Sequence, residues 1–208
     1  MIMEDKIVAK VLYIKANPKS DEQSRTLRLS GSFITAYRQN NPGDEIITHD
    51  LYQEGVKPLS AGDLQTVFGP KDTDSTNHHV LKYAYEFKAS DKIIIAAPMW
   101  NLSFPSILKS YLDYITVTGI TFHYTEQGPV GLCQGKKAVH IVTRGGTYSE
   151  GAGAAYEMGD RYLRTIFGFL GITDFTTIAA EQLDVIGFDA QGELSKKMQE
   201  AEEKARTF

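Results

Sequence analysis

The amino-acid sequence predicts a three-layer α/β/α domain around a five-stranded parallel sheet. Two observations predict it. Short apolar runs alternate with segments of helical period five times along the chain. The first run, residues 7–14 (IVAKVLYI), is apolar almost throughout, as a strand covered on both faces must be. Repeated β-α units of this kind wind a parallel sheet with helices on both sides. The 208 residues suffice for one domain spanning 1–208 with a sizeable core.

Each element follows from the local pattern. After the first strand comes a polar loop, Asn17-Pro18-Lys19-Ser20-Asp21-Glu22, then a helix over 23–38. Its inward stripe is Leu27, Ser30, Gly31, Ile34 and Tyr37, with small central residues that predict close approach to the sheet. Asn41-Pro42-Gly43 ends it. A second strand covers 45–50 (EIITHD), and residues 52–73, rich in Gly and Pro, read as loop. Helix 76–89 leads to a central strand at 93–97, stopped by Pro98. Ile107, Leu108, Tyr111, Leu112 and Ile115 place a helix over 105–117. Residues 119–135, with four glycines and Pro129, read as an excursion. The fourth strand is 137–143 (KAVHIVT), ended by Arg144-Gly145-Gly146; a helix over 154–169, a strand at 174–180 and a helix over 190–206 complete the pattern.

Composition narrows the function. With 42% hydrophobic and 23% charged residues the chain is neither disordered nor a disulfide scaffold. Against 22 basic residues stand 26 acidic ones, a net charge of −4, which supplies no electrostatic reason for nucleic acid or an anionic membrane as partner. The one cysteine, Cys133, cannot form an intramolecular disulfide and suits a reducing cytosol. Residues 1–6 are acidic and lack the apolar core of a signal peptide. The longest charge-free stretch, 93–108, is broken by prolines and polar residues, short of the roughly 20 apolar residues of a span. A cytoplasmic chain is the expectation.

Right-handed crossovers place the loops after strands one, three and four at the carboxyl edge of the sheet, where open α/β sheets bind ligands. The first loop has neither G-x-x-x-x-G-K-[ST] nor G-x-G-x-x-G, which excludes the two standard phosphate loops. It offers Asn17, Ser20, Gln23 and Ser24 instead, polar groups suited to a single phosphate at a helix N-terminus. Ser20 and Gln23 equally fit a capping box. The second loop, Pro98-Met99-Trp100-Asn101-Leu102-Ser103-Phe104, sets flat apolar groups beside one amide, which suits a planar heteroaromatic ring; a loop folded over its own core fits as well. The third, Thr143-Arg144-Gly145-Gly146-Thr147-Tyr148, offers a backbone a ligand can approach closely, or a plain tight turn. Together the three fit a flavin mononucleotide. None of the five histidines has metal-ligand spacing, no G-x-S-x-G elbow exists, and His140 and Cys133 read as core residues.

The runs APMWNLSFPSILKSYLDYI, GITFHYTEQGPVGL and GKKAVHIVTRGG, with GFLGI at 168–172, resemble the FMN-dependent NADH:azoreductase family, over the chain from Lys10 onward apart from 52–73. The resemblance implies a flavodoxin-like fold, a homodimer, bound FMN, NADH or NADPH as donor, and quinone or azo compounds as acceptors. It matches Glu22-Gln23-Ser24 to the phosphate run, with Asn17 where many members carry Ser. It matches Pro98, Met99, Trp100, Asn101 and Leu102 to the flavin-ring loop, and Thr143, Arg144, Gly145 and Gly146 to the second ring loop. It puts Asn101 at the flavin edge and Tyr124 and Phe169 beside the substrate; Tyr124 fits proton donation and packing equally. Glu22 is a departure, expected to turn its carboxylate away. Met158, Tyr162, Leu163, Ile166, Phe167, Phe169 and Leu170 wrap most of the helix before the last strand, leaving one face for the sheet and one for a partner copy. A flavodoxin-type electron carrier is the alternative, disfavoured by the missing T-x-T-G-x-T loop.

Overall fold

The computed structural model describes residues 8–71 and 73–208, so Ile7 and the acidic segment before it lie outside the described residues. Five parallel strands form the sheet: β1 (Lys10–Lys15), β2 (Glu45–Asp50), β3 (Lys92–Ala96), β6 (Lys137–Thr143) and β7 (Asp174–Ala180), in the order β2-β1-β3-β6-β7. Leu12 pairs with Ile47 on one side and Ile93 on the other, and Ile95 pairs with His140. The chain moves outward from β1 to β2, then returns past β1 to β3. That reversal opens a crevice between the carboxyl ends of β1 and β3.

Period-two alternation sends each strand's side chains into two cores. Leu12, Ile14, Ile93, Ile95 and Ala138 pack with helices α3 (Leu81–Ala89), α4 (Ser106–Ile115) and α5 (Gly159–Phe169), through Phe87, Tyr111, Leu112 and Phe167. Val11, Tyr13, Ile94, Val139 and Ile141 pack with α1 (Arg25–Asn40) and α6 (Ala190–Ala205), through Leu27, Phe33, Leu194 and Ala201. Burial pushes the Tyr13 phenol up to about 12, against its hydrogen bond with Ser30.

The structure corrects or refines the sequence reading in several places. Residues 52–73 are not all loop: α2 (Ala61–Phe68) lies within them, followed by a short 3₁₀ helix, Thr73–Asn77. Helix α2 buries only Asp63 and Val67, too narrow a stripe to show as periodicity, but Ser60 and Asp63 form a reciprocal capping box. The helix read from residue 76 begins at Leu81. The segment read as one helix over 154–169 is a 3₁₀ turn, Gly151–Tyr156, then α5. On α1, Leu29 and Phe33 are buried along with the expected stripe, because this helix packs on both sheet and α6. Gly31 is half-buried with nothing within 4 Å of an added Cβ, so the close approach does not depend on it. The excursion at 119–135 is an antiparallel hairpin, β4 (Phe122–Thr125) and β5 (Gly128–Gly131).

Candidate active site

The first loop is fixed by its own polar side chains. Buried Asn17 donates from Nδ2 to Ser24 Oγ at 2.8 Å, and its Oδ1 accepts the Lys19 N–H at 3.0 Å. Ser24 caps α1 by accepting the Leu27 N–H at 3.1 Å. The capping box that Ser20 and Gln23 offered as one alternative does not form; Ser24 is the cap, and the Ser20 carbonyl accepts the Gln23 and Ser24 N–H groups in a preceding turn. Ser24 Oγ thus accepts from two partners, which leaves its own proton to donate. Glu22 is exposed; its own backbone N–H and the Ser20 hydroxyl hold its carboxyl below the usual range.

In the second loop the Ala97 and Met99 N–H groups continue pairing with β6, to Ile141 (3.1 Å) and Thr143 (3.0 Å). Trp100 and Ser103 then exchange both backbone hydrogen bonds, at 2.7 and 3.0 Å, around Asn101 (φ 47°) and Leu102 (φ 71°). Two left-handed residues in a two-residue loop make the type I′ geometry. Asn adopts it readily, whereas Leu does so only under constraint. The Leu102 carbonyl accepts the Met158 N–H at 2.9 Å, which ties the turn to the start of α5.

In the third loop the Arg144 guanidinium is 3% exposed and inward-facing. Its Nη1 meets Glu181 Oε1 and Ser149 Oγ, each at 3.0 Å, and Nη2 meets Glu157 Oε1 at 3.2 Å; its Nε has no hydrogen-bond partner among the described residues. Glu181 also accepts the Tyr148 and Ser149 N–H groups. Among the described residues no backbone carbonyl accepts the Gly145 or Gly146 N–H. A Cβ at Gly145 would stand 2.7 Å from Asp184 Oδ2, so a side chain there would displace that carboxylate. Thr143 Oγ1 and Thr26 Oγ1, 2.5 Å apart, join this loop to α1.

The three loops meet around a cavity of about 370 Å³. Asn17, Gln23 and Ser24 line one end; Pro98, Met99 and Trp100, with Thr143, Arg144 and Gly145, line the rest. Asn101, Leu102 and Gly146 stand outside the lining. So do Tyr124 and Phe169: Tyr124 is 70% exposed on β4, edge-on to Phe122, which in turn packs on Phe169 at 4.8 Å. Lys19, Arg25, Thr26, Leu183 and Asp184 also line the cavity and were not anticipated. Arg25 and Asp184 form an ion pair at 2.7 Å. Leu183 and Asp184 follow β7, the fifth parallel strand, whose carboxyl end reaches the same edge; the rule that singled out the other loops covers this one too.

Outside the cavity, Phe104, Met158 and Tyr162 line a second, apolar groove of about 450 Å³. The fold also gathers ligand atoms of Asp63, His78 and His79 within 4.8 Å, which no sequence spacing indicated. Asp63 there already accepts from Ser60 and pairs with His79, and His78 Nδ1 accepts the Val80 N–H. His140 sits in the core as expected, with Nδ1 3.0 Å from Asp160; its Nε2 has no partner among the described residues. Burial pushes the Cys133 thiol up, in keeping with an inert core cysteine.

Comparison with known proteins agrees with this geometry. A family model described as a flavodoxin-like fold matches residues 9–205. The FMN-dependent NADH:quinone oxidoreductase 2 of Clostridium acetobutylicum is 63% identical over 201 residues, covering 97% of this chain and all of that one. The crystal structure of an azoreductase from Bacillus anthracis str. Sterne superposes with TM-score 0.88 at 32% identity, over 97% of this chain and all of that one. An FMN-dependent NADH-azoreductase from B. anthracis str. Ames Ancestor, solved in complex with FMN, gives 0.86 at 27% identity, over 96% of this chain and 99% of its own.

Proposed function

The chain belongs to the family with the flavodoxin-like fold, and from that premise we propose that it is an FMN-dependent NAD(P)H oxidoreductase that reduces quinones and cleaves azo compounds. The observation that carries the reading is the cavity where a helix N-terminus, an apolar aromatic wall and Gly145 converge, with Gly146 adjoining and neither glycine N–H accepted by a backbone carbonyl among the described residues. That donor set fits FMN: a phosphate for the helix end, a flat ring for the wall, polar ring atoms for the glycines. When bound, FMN supplies a two-electron relay between NAD(P)H and the acceptor in ping-pong order, one round for a quinone and two for an azo bond.

The chain's own residues bind and orient. Ser24 Oγ–H and the free N–H groups of the first turn of α1 would hold the phosphate, with Gln23, Lys19 and Arg25 beside them. Asn17 keeps Ser24 in place. Met99 and Trp100 would pack against the ring, and Gly145 and Gly146 would donate to its polar edge. Asn101 is assigned to the flavin edge, and Tyr124 and Phe169 to the acceptor's side, by family resemblance. The exposed Met158 and Tyr162 of α5's outer face support a homodimer. Among the described residues no helix is long and apolar enough to cross a membrane, and we place the protein in the cytoplasm.

Steady-state assay of the FMN-loaded protein with NADH and NADPH, against a benzoquinone and an azo dye, tests the proposal. NAD(P)H oxidation dependent on FMN and acceptor is expected. A flavoprotein with no such turnover would be an electron carrier instead.

A further inference from the structure

Glu157 lies outside the cavity, yet its carboxylate joins the third of its loops to the start of α5. The residue is 8% exposed. Its Oε1 lies 3.2 Å from Arg144 Nη2 and also accepts the Asp160 N–H at 2.9 Å, and Oε2 accepts the Arg161 N–H at 3.2 Å. One carboxylate thus satisfies the third loop's buried cation and the first N–H groups of α5, where the helix dipole favours negative charge. The next residue, Met158, donates its N–H to Leu102. Gly159 then brings α5 against the same turn, with its Cβ position 3.3 Å from the Ser103 carbonyl carbon. The contacts run unbroken from Arg144 through Glu157 and Met158 to a turn that holds a leucine at φ 71°.

We infer that Glu157 is a positioning residue for the ring end of the cavity: it fixes the start of α5 so that the Met158 N–H can hold Leu102 in its left-handed conformation. A leucine released from that bond relaxes toward negative φ, which reshapes the adjoining Met99–Trp100 wall. The inference rests on the FMN reading above and names what keeps that site in shape before a ligand arrives.

FMN titration of apoprotein, read by flavin fluorescence, tests it. Glu157→Gln should raise the FMN Kd about tenfold, equivalent to about 1.4 kcal/mol. Leu102→Gly added to Glu157→Gln should bring the Kd back to within about threefold of wild type, because glycine adopts positive φ unaided. Glu157→Asp keeps the charge but shortens its reach to Arg144 and the α5 N–H groups, and a similar loss rescued by Leu102→Gly is expected. Should Glu157→Gln fail to fold, Glu157→Asp decides on the same criterion. A wild-type protein that takes up no FMN overturns the cavity reading and this inference together. Wild type binding FMN with both variants unchanged, or weakened variants that Leu102→Gly does not rescue, overturns the inference alone.

Discussion

The two ends of the cavity are built by opposite means. At the α1 end the cap itself is local: Asn17, Ser24 and the Leu27 N–H lie within eleven residues and satisfy one another, with Thr26–Thr143 and Arg25–Asp184 as added ties to distant segments. At the ring end the local device, the paired backbone hydrogen bonds of Trp100 and Ser103, closes a strained turn that draws on distant support. The turn at Asn101–Leu102 keeps its shape through Thr143, Met158 and, beyond them, Arg144 with Glu157 and Glu181. The comparison teaches that a phosphate site can be specified by one short segment, whereas a ring seat that needs a strained turn borrows rigidity from elements distant in the chain.

Breaking the long-range support should cost most. Arg144→Met leaves the buried Glu157 and half-buried Glu181 carboxylates without their shared cation, and unfolding in urea should show a loss of about 3–5 kcal/mol. Equal stability would mean that the loops at the ring end stand unaided. Next is Asn101→Ala, which puts a poorly tolerated residue at φ 47° and removes the turn's amide. FMN content after gel filtration, or turnover, should fall about tenfold; unchanged values remove Asn101 from the site. At the local end, Ser24→Ala deletes the α1 cap and Asn17's acceptor, a loss of about 1 kcal/mol with weaker FMN retention.

Much of this contrast explains what could be read from sequence. The five strands and the three rim loops were legible because apolar runs and their terminators are contiguous signals. Ser24, Trp100 and Gly145, read from those loops, line one cavity in the structure. Helix α2 was not legible: with Leu64 and Phe68 exposed and only Val67 of its apolar residues buried, its pattern carries no stripe, and the Ser60–Asp63 capping box was the one usable sign. Glu157 was invisible too, since a lone glutamate in a glycine-rich stretch acquires meaning only when the fold sets it against Arg144. Tyr124 and Phe169 came from family resemblance and lie outside the cavity within one chain.

The smallest expected effect is one of pH. Burial opposes ionisation of Asp160, but its bonds with His140, Thr177 and Arg164 prevail and hold the carboxyl well below the usual range. Its stabilising contribution is therefore complete above the unfolded value of about 3.9 and is lost as pH falls from there toward the folded value. Asp160→Asn should shallow the decline in stability below about pH 4, measured by thermal melts; an unaltered acid limb would show that the start of α5 draws nothing from this network.

A crystal structure of the protein grown with FMN tests the central claim most directly. The account predicts the phosphate against Ser24 and the first turn of α1, with the ring against Met99, Trp100 and Gly145. An empty rim, or FMN lodged instead in the groove beside Phe104 and Tyr162, would contradict it.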